Sequence, residues 1–397
     1  MIFPKSIIIA CIYSFVVLHV CFAENQNTNP HDKILPGAYQ MNQYLPAFTS
    51  KRVAVVANHT SVINAVHLVD TLVKLGINVE KIFSPEHGFR GNVPDGEDIK
   101  TEIDAKTGLK LVSLYGEHKK PTKADLQNID IVIFDIQDVG VRFYTYISTL
   151  SYVMEACAEN NVKLIVLDRP NPNGFYIDGP VLQPEYTSFV GMHTVPMVYG
   201  MTIGEYALMV NGEGWLKGGV KCDLTIITCE GYTHDSRYKL PINPSPNLQD
   251  MTAVYLYPSL CLFEGTTLSI GRGTTNPFHV YGHPLLKSGN ITFKPSPIAG
   301  ISENPPLKGQ LCYGVDVSLA AERIKNNGGI ELSWLLESYK YLKNTAEFFN
   351  PFFNKLAGNS LLRDQIETGK TATEIKSSWE PDLEKFRLIR SKYLLYK

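Results

Sequence analysis

Short apolar runs alternate with stretches of helical periodicity between residues 52 and 228, and this alternation restricts the possible folds more than any other feature. The runs are rich in β-branched residues, which favour strands. They predict strands at 52–57, 79–84, 109–115, 130–136, 163–168 and 222–228, with helices at 62–75, 123–128, 146–160 and 202–212. Because parallel strands need helical crossovers that cover both sheet faces, such apolar strands predict a Rossmann-like, doubly wound α/β fold with a mostly parallel sheet.

The pattern changes after about residue 251. Short segments rich in Gly and Pro, at 264–284 and 294–306, precede a helix-rich stretch at 318–397. We therefore predict a Rossmann-like catalytic domain at 48–255 and a smaller α+β auxiliary domain at 256–397, with a leader segment at 24–47 in front of them.

Residues 1–23 are predicted to be an export signal. Lys5 is the only charged residue before Glu24, and residues 7–20 are almost wholly apolar. This run is shorter than the ~20 residues that span a bilayer, and small residues at Cys21 and Ala23 suit signal peptidase. We expect an exported, most simply periplasmic, protein without stable membrane insertion after cleavage. The alternative is a lipoprotein in which Cys21 carries the lipid.

Composition and missing motifs exclude several classes of function. Lys and Arg total 37 against 39 Asp and Glu, and no run of five like charges exists, so a nucleic-acid partner is not expected. The predicted turn at 58–62 lacks the glycines of a dinucleotide site, and P-loop, GxSxG and HExxH motifs are absent. We expect no cofactor and no metal.

The cysteines beyond residue 23 are predicted to be buried free thiols: Cys157, Cys222, Cys229, Cys261 and Cys312.

Charged and amide side chains cluster in the loops that follow four predicted strands. The carboxyl ends of parallel strands share one sheet edge, where α/β proteins bind ligands. Turns alone would explain the Asp, Asn, Pro and Gly residues of these loops, but they do not require the Glu, His and Arg residues. The candidate site residues are Asn58, Glu86, His87, Arg90, Asp135, Gln137, Asp138, Arg142, Arg169 and Asn171.

Glu86 is the strongest candidate for proton transfer. It follows Pro85 at a strand end, so the turn would give its carboxyl group a defined direction. The alternative is a surface glutamate paired with Arg90. Asp135 and Asp138 are candidates for a second catalytic carboxylate, although Asp135 could instead hold the backbone or Arg142.

Two later loops, at 244–247 and 264–278, carry polar side chains near the predicted domain junction. Either loop could close over the sheet edge, or both could be purely structural. We expect them to build part of the pocket, with Glu264 and Arg272 nearest to it, and we include Asn247 and Thr274 among the substrate-binding candidates.

Several long motifs occur in order: SPEHGFRG at 84–91, FDIQDVGVRFYTYISTL at 134–150, VLDRPNPNG at 166–174, GMTIGE at 200–205, PSPN at 244–247 and EGTTLSIGRGTTNPF at 264–278. In these motifs the chain resembles the exo-β-N-acetylmuramidase (NamZ-like) family from about residue 52 to its end. The resemblance implies a Rossmann-like domain holding the active site and a smaller C-terminal domain. It also implies a peptidoglycan-derived substrate that loses N-acetylmuramic acid from its non-reducing end. The glutamate of the PEHG motif, the proposed catalytic residue of that family, is Glu86 here.

The resemblance suggests how substrate is recognised. N-acetylmuramic acid carries a lactyl carboxylate that an arginine could hold with two parallel hydrogen bonds, and Arg142, Arg169 and Arg272 are the candidates. A second hypothesis is an exported muropeptide-binding protein without catalysis, which would have no use for a directed acid at position 86. A deacetylase or esterase is disfavoured by the missing serine elbow and metal cluster.

Overall fold

The computed structural model describes residues 33–86, 88–90, 102–344 and 347–397. The strands of its first half, including a small hairpin of β2 and β3, are β1 (Val53–Ala57), β2 (Val62–Ile63), β3 (Val66–His67), β4 (Val79–Ser84), β5 (Glu102–Ile103), β6 (Lys110–Ser113), β7 (Ile131–Asp135), β8 (Lys163–Leu167) and β9 (Leu224–Ile227). Seven of them form the central sheet, in the spatial order β5-β6-β4-β1-β7-β8-β9. Within the described part of this sheet, only the edge strand β5 runs antiparallel to its neighbour.

The apolar runs of the sequence form this sheet because both of its faces are covered. Every residue of the two adjoining strands β1 and β7 is buried, because helices and the packed second half of the chain cover both faces. The predicted α/β fold with a mostly parallel sheet is confirmed. The helices of the described residues are α1 (Met41–Tyr44), α2 (Leu68–Lys74), α3 (Tyr146–Asn160), α4 (Ile203–Glu213), α5 (Met251–Leu260), α6 (Ala320–Asn327), α7 (Ser333–Leu342), α8 (Phe353–Ala357), α9 (Leu361–Glu367) and α10 (Ala372–Arg390).

The helix predicted at 62–75 is wrong over its first half. Val62–Ile63 and Val66–His67 pair as an antiparallel hairpin, and Asn64 takes a left-handed conformation in the turn between them. His67 then caps α2, because its Nδ1 accepts from the Val69 amide at 3.2 Å. The β-branched residues before this cap favour strands over a first helical turn.

The helix predicted at 123–128 is also wrong, because this segment forms turns. The Asp125 carboxylate accepts from the Thr122 amide at 2.9 Å and from the Thr122 hydroxyl at 2.6 Å, and Asn128 takes a left-handed conformation. Such local bonds from Asp and Thr side chains compete with a helical ladder.

The second half of the chain adds a smaller antiparallel sheet of β10 (Val280–His283), β12 (Cys312–Asp316) and β11 (Ile291–Phe293), in that spatial order. Helices α6 to α10 accompany this sheet, as the predicted α+β composition requires. The predicted boundary near residue 255 falls inside α5, and buried side chains from both halves share one hydrophobic core. Residues 34–397 accordingly form one compact unit.

A tail after α10 returns to the main sheet and bonds to two buried carboxylates. The Tyr396 hydroxyl donates to Asp168 Oδ2 at 2.6 Å, and the Leu395 amide donates to Glu205 Oε1 at 2.7 Å. Asp168 follows β8, and Glu205 belongs to the capping box that starts α4. The tail therefore satisfies polar groups deep in the first half of the chain.

The five cysteines beyond residue 23 are buried free thiols, which confirms that prediction. Among the described residues, no helix is both long and apolar enough to cross a bilayer. No group of three or more His, Cys, Asp or Glu side chains is placed to hold a metal ion within the same described ranges.

Candidate active site

A cavity of about 260 Å³ lies where β4 and β6 end and α3 begins. Its lining is dominated by aromatic side chains, with a few polar groups, and we call it the aromatic cavity. The aromatic lining residues are Tyr115, Phe143, Tyr144, Tyr146, Phe189, Tyr257, Phe278 and Phe352. Three charged residues, Glu86, Glu264 and Arg272, also line it. Aromatic walls with few polar groups are typical of a site that binds a sugar or another small ring.

Glu86 enters the aromatic cavity from a tight turn after β4. The Gly88 amide donates to the Pro85 carbonyl at 3.1 Å, and the positive φ of Gly88, 77°, suits glycine. The Thr145 hydroxyl donates to Glu86 Oε2 at 2.9 Å. Thr145 directly precedes α3, and it uses its hydroxyl here instead of capping the helix. The turn and this bond together fix the direction of the Glu86 carboxyl group.

The alternative role for Glu86, a surface partner of Arg90, is wrong. Arg90 forms ion pairs with Asp104 at 2.9 Å and with Asp70 at 3.2 Å. It lines a separate cavity of about 300 Å³ that also contains His67 and Lys106. His87, the other candidate of this turn, lies outside the described residues.

Glu264 and Arg272 form an ion pair at the wall of the aromatic cavity. Arg272 Nε and Nη2 both donate to Glu264 Oε1, at 2.8 and 2.7 Å. Both side chains are about three-quarters buried, and the Arg272 guanidinium lies 5.2 Å from the centre of the Phe278 ring. Partial burial strengthens such a pair because less water screens it.

The second half of the chain supplies one side of the aromatic cavity, as predicted for the loops at 244–247 and 264–278. Ser245, Glu264, Arg272 and Phe278 all line it together with Glu86. Asn247 and Thr274 belong to the same loops: the Asn247 amide donates to the Ile301 carbonyl at 3.4 Å, and the Thr274 hydroxyl donates to Gly271 at 2.7 Å. These two contacts hold loop backbone.

Seven other candidates form a buried group that we call the strand-end cluster. Each is at most 3% exposed, and the structure does not place them in the lining of the aromatic cavity. The strand-end cluster consists of Asn58, Asp135, Gln137, Asp138, Arg142, Arg169 and Asn171. Its members bond to one another, to backbone groups or to other buried side chains.

Asp135 and Arg169 form a fully buried pair. Arg169 Nε and Nη2 donate to the two carboxylate oxygens of Asp135 at 2.6 and 2.9 Å. This fork geometry satisfies both oxygens. Asp135 therefore pairs with Arg169 and not with Arg142. Arg169 is buried against Asp135 and is not placed to bind substrate.

Arg142 is completely buried and binds four backbone carbonyls. Its Nη1 donates to Pro180 and Val195, and its Nη2 donates to Leu356 and Ala357, each at 2.8 Å. Burial lowers the pKa of Arg142 to about 9. Because two of these carbonyls belong to the second half of the chain, Arg142 ties the two halves together.

The remaining members of the cluster hold turns. Asp138 Oδ2 accepts from the Tyr199 hydroxyl and from the Gly140 amide, and burial raises the pKa of Asp138 to about 6. Gln137 donates to the Asp138 and Pro170 carbonyls, both at 2.8 Å. The carbonyl oxygens of the Asn58 and Asn171 side chains accept amides two residues later, as asparagines do in turns.

Sequence reasoning missed the aromatic walls and Thr145. One signal was available, because residues 143–146 read FYTY directly after the strand-end motif, and all four line the aromatic cavity. Phe189, Tyr257 and Phe352 carry no such local signal. They converge with Glu86 only through the fold.

Models of the two domains of one family match the chain. The N-terminal domain of exo-β-N-acetylmuramidase NamZ matches residues 53–252, and its C-terminal domain matches residues 255–396. The chain belongs to the exo-β-N-acetylmuramidase NamZ family. A relative in this family, the peptidoglycan β-N-acetylmuramidase NamZ of Bacillus subtilis strain 168, is 38% identical over 387 residues, which cover 92% of this chain and 90% of the relative.

Two crystal structures of DUF1343 family proteins from Bacteroides fragilis NCTC 9343 are similar to this NamZ family member. The first has a TM-score of 0.86 and 49% sequence identity, and the match covers 92% of this chain and 99% of that one. The second has a TM-score of 0.79 and 29% identity, covering 93% and 100%. The whole two-part architecture is therefore common to these proteins.

Proposed function

We propose that this protein is an exo-acting glycoside hydrolase that releases N-acetylmuramic acid from the non-reducing end of peptidoglycan fragments, with Glu86 as its catalytic acid and base. Membership of the NamZ family supports the reaction. The structural observation that carries the role of Glu86 is its carboxyl group, held by Thr145 at 2.9 Å on the wall of the aromatic cavity.

The geometry suits proton transfer to a glycosidic oxygen. A general acid must lie within hydrogen-bonding reach of the atom that it protonates, in a fixed direction. The turn after β4 and the Thr145 hydroxyl fix that direction, and the aromatic walls offer faces on which a sugar ring can stack. A cavity of about 260 Å³ suits about one sugar residue, as release of a terminal sugar requires.

Glycoside hydrolysis normally uses two carboxylates. The two candidates for the second carboxylate, Asp135 and Asp138, both lie in the strand-end cluster, where their carboxylates bond to protein groups. Among the described residues that line the aromatic cavity, the second carboxylate belongs to Glu264, which is paired with Arg272.

The export signal predicted at residues 1–23 supports an exported, periplasmic enzyme that acts in breakdown and recycling of the cell wall. Sequencing the N-terminus of the mature protein tests this part of the proposal. A mature chain that begins at Glu24 supports cleavage by signal peptidase. A chain that begins at a lipid-modified Cys21 indicates the lipoprotein, and an uncleaved Met1 contradicts export by this signal.

The hydrolase proposal is tested with a disaccharide that has N-acetylmuramic acid at its non-reducing end. Mass spectrometry should detect both monosaccharides, and Glu86→Gln should reduce turnover at least about 100-fold, because general acid catalysis contributes this much or more. Glu80→Gln is the matched control, since Glu80 is exposed on the same strand β4. Wild-type binding without products would instead support the muropeptide-binding protein, and turnover within threefold for Glu86→Gln would remove Glu86 from the mechanism.

A further inference from the structure

We infer that Arg272 determines substrate specificity by binding the carboxylate of the lactyl group, and that Glu264 is a positioning residue for its guanidinium. This inference rests on the proposed function, and it adds the group that distinguishes a muramic acid substrate from one with N-acetylglucosamine. The two sugars differ only in the lactyl ether, so a cavity that selects between them must recognise that substituent.

The charges of the aromatic cavity point to Arg272. Of the described residues that line it, Glu86 and Glu264 are acidic and Arg272 is the single cation. An anionic substrate would meet two carboxylates in this partly buried space, and like charges repel strongly where water is scarce. A guanidinium offsets that repulsion, and its planar set of donors matches a carboxylate.

The loop that carries Arg272 is rigid. Gly271 and Gly273 flank it with φ angles of 78° and 77°, and a Cβ atom on either glycine would approach a backbone oxygen to 2.7 or 2.6 Å. The Thr274 amide donates to Gly271 at 3.0 Å, and the Phe278 amide donates to Ile270 at 2.9 Å. A guanidinium on such a loop is placed before substrate arrives, so little entropy is lost on binding.

Glu264 and Phe278 fix the plane of the guanidinium. Glu264 Oε1 receives Nε and Nη2, which lie along one edge of the group. The ring of Phe278, 5.2 Å from the guanidinium carbon, adds a cation–π contact, and this ring is itself packed edge-on against Tyr257. The arrangement orients the donors of Arg272 within the cavity wall.

The other two arginine candidates do not line the aromatic cavity. Arg142 is 0% exposed and holds four carbonyls, and Arg169 is 3% exposed and holds Asp135. Neither lines the aromatic cavity, whereas Arg272 does so with a fifth of its side chain exposed.

The test compares three para-nitrophenyl β-glycosides: that of N-acetylmuramic acid, that of its lactyl amide and that of N-acetylglucosamine. The lactyl amide keeps the shape and removes the charge. Wild-type kcat/KM should be at least about 100-fold higher for the acid than for the amide, because a site built for a polar group rejects analogues that lack it. Arg272→Gln should reduce this ratio to below about five, mainly through KM for the acid.

Two further variants separate specificity from folding. The double variant Glu264→Gln, Arg272→Gln leaves no unpaired carboxylate in the wall, and it should lose the preference as the single variant does. Arg323→Gln is the matched control, because Arg323 pairs with Glu331 at 2.6 Å on the exposed surface, and it should keep the full ratio. A purely structural role for Arg272 would lower the rates of all three substrates equally, leave the ratio unchanged and overturn the inference.

Binding measurements distinguish this inference from the proposed function. Calorimetry with Glu86→Gln and the three sugars reports recognition without turnover. If the acid binds tightly and the additional change Arg272→Gln abolishes that binding, the inference is supported. This holds even if the wild-type protein hydrolyses none of the sugars, a result that would contradict the proposed function. Hydrolysis of the acid with equal rates on the amide overturns the inference and leaves the hydrolase standing.

Discussion

The strand-end cluster and the aromatic cavity both begin where strands of the main sheet end, yet their polar groups are arranged in opposite ways. In the strand-end cluster every member is at most 3% exposed and bonds to protein groups. In the aromatic cavity, Glu86, Glu264 and Arg272 stand among aromatic rings with part of their surface accessible. Polar residues at a sheet edge can therefore build the frame of a site or its chemistry, and burial distinguishes the two roles.

The difference has an energetic basis. A buried polar group is stabilising only when its hydrogen bonds are satisfied, and removing one partner leaves the other at a large cost. A partly exposed group in a cavity can be changed at small cost to folding. We therefore expect substitutions in the strand-end cluster to change stability, and substitutions in the aromatic cavity to change kinetics.

The largest expected effect is on stability, at Arg142. Arg142→Met removes the donors of four buried carbonyls, and each unsatisfied group costs about 1–3 kcal/mol, so the free energy of unfolding should fall by about 5 kcal/mol. Urea denaturation followed by tryptophan fluorescence measures it. The KM of the variant that remains folded should be unchanged. A large rise in KM with normal stability would indicate that Arg142 contacts substrate.

Arg169→Met should lower the free energy of unfolding by about 4 kcal/mol, because it leaves the Asp135 carboxylate buried without its partner. The double variant Asp135→Leu, Arg169→Met removes both charges and should recover most of that loss. A single variant as stable as wild type would show that water reaches Asp135, and it would weaken the distinction between the two regions.

A third effect depends on pH. Burial raises the pKa of Asp138 to about 6, above its value of 3.8 in an unfolded chain, so the folded protein binds a proton that the unfolded chain releases between these values. The resulting stability is present below about pH 4 and is lost as pH rises to about 6. Asp138→Asn should reduce that decline by about 2–3 kcal/mol. If the free energy of unfolding changes in parallel for wild type and Asp138→Asn from pH 4 to pH 7, this prediction is wrong.

The smallest expected effect is at the rim of the aromatic cavity. Phe352 lines the cavity and is 36% exposed, so Phe352→Ala should cost little stability. Loss of a stacking face is worth about 1 kcal/mol, which raises KM about fivefold while kcat stays within a factor of two. Tyr341→Ala, at an exposed aromatic outside the cavity lining, serves as the control. An unchanged KM for Phe352→Ala would exclude this ring from substrate binding.

The sequence predicted the features that local patterns encode. Continuous apolar runs predict β1 and β7 because both faces of these strands are covered, and the strand-end rule selected Glu86, which does line the aromatic cavity after β4. The same rule also selected Asp135 and Arg169, because it does not distinguish a buried ion pair from an accessible one.

Long-range packing limited the rest. The hairpin of β2 and β3 depends on a left-handed Asn64, and a helical pattern of apolar residues conceals it. Phe352 lines the same cavity as Glu86 only because the second half of the chain packs against the first. No periodicity in a single sequence marks such a convergence, whereas the dense aromatic motif at 143–146 could have been recognised.

The tail that bonds to Asp168 also sets an order of events during biosynthesis. Tyr396 follows Asp168 by 228 residues, so at ~5–20 residues per second a ribosome makes it roughly 10–45 s later. Throughout that interval the Asp168 carboxylate lacks this donor. Until residues 356 and 357 are made, the Arg142 guanidinium also lacks the carbonyls of Leu356 and Ala357. The first half of the nascent chain therefore lacks some of its final hydrogen-bond partners until the C-terminal segments have been made.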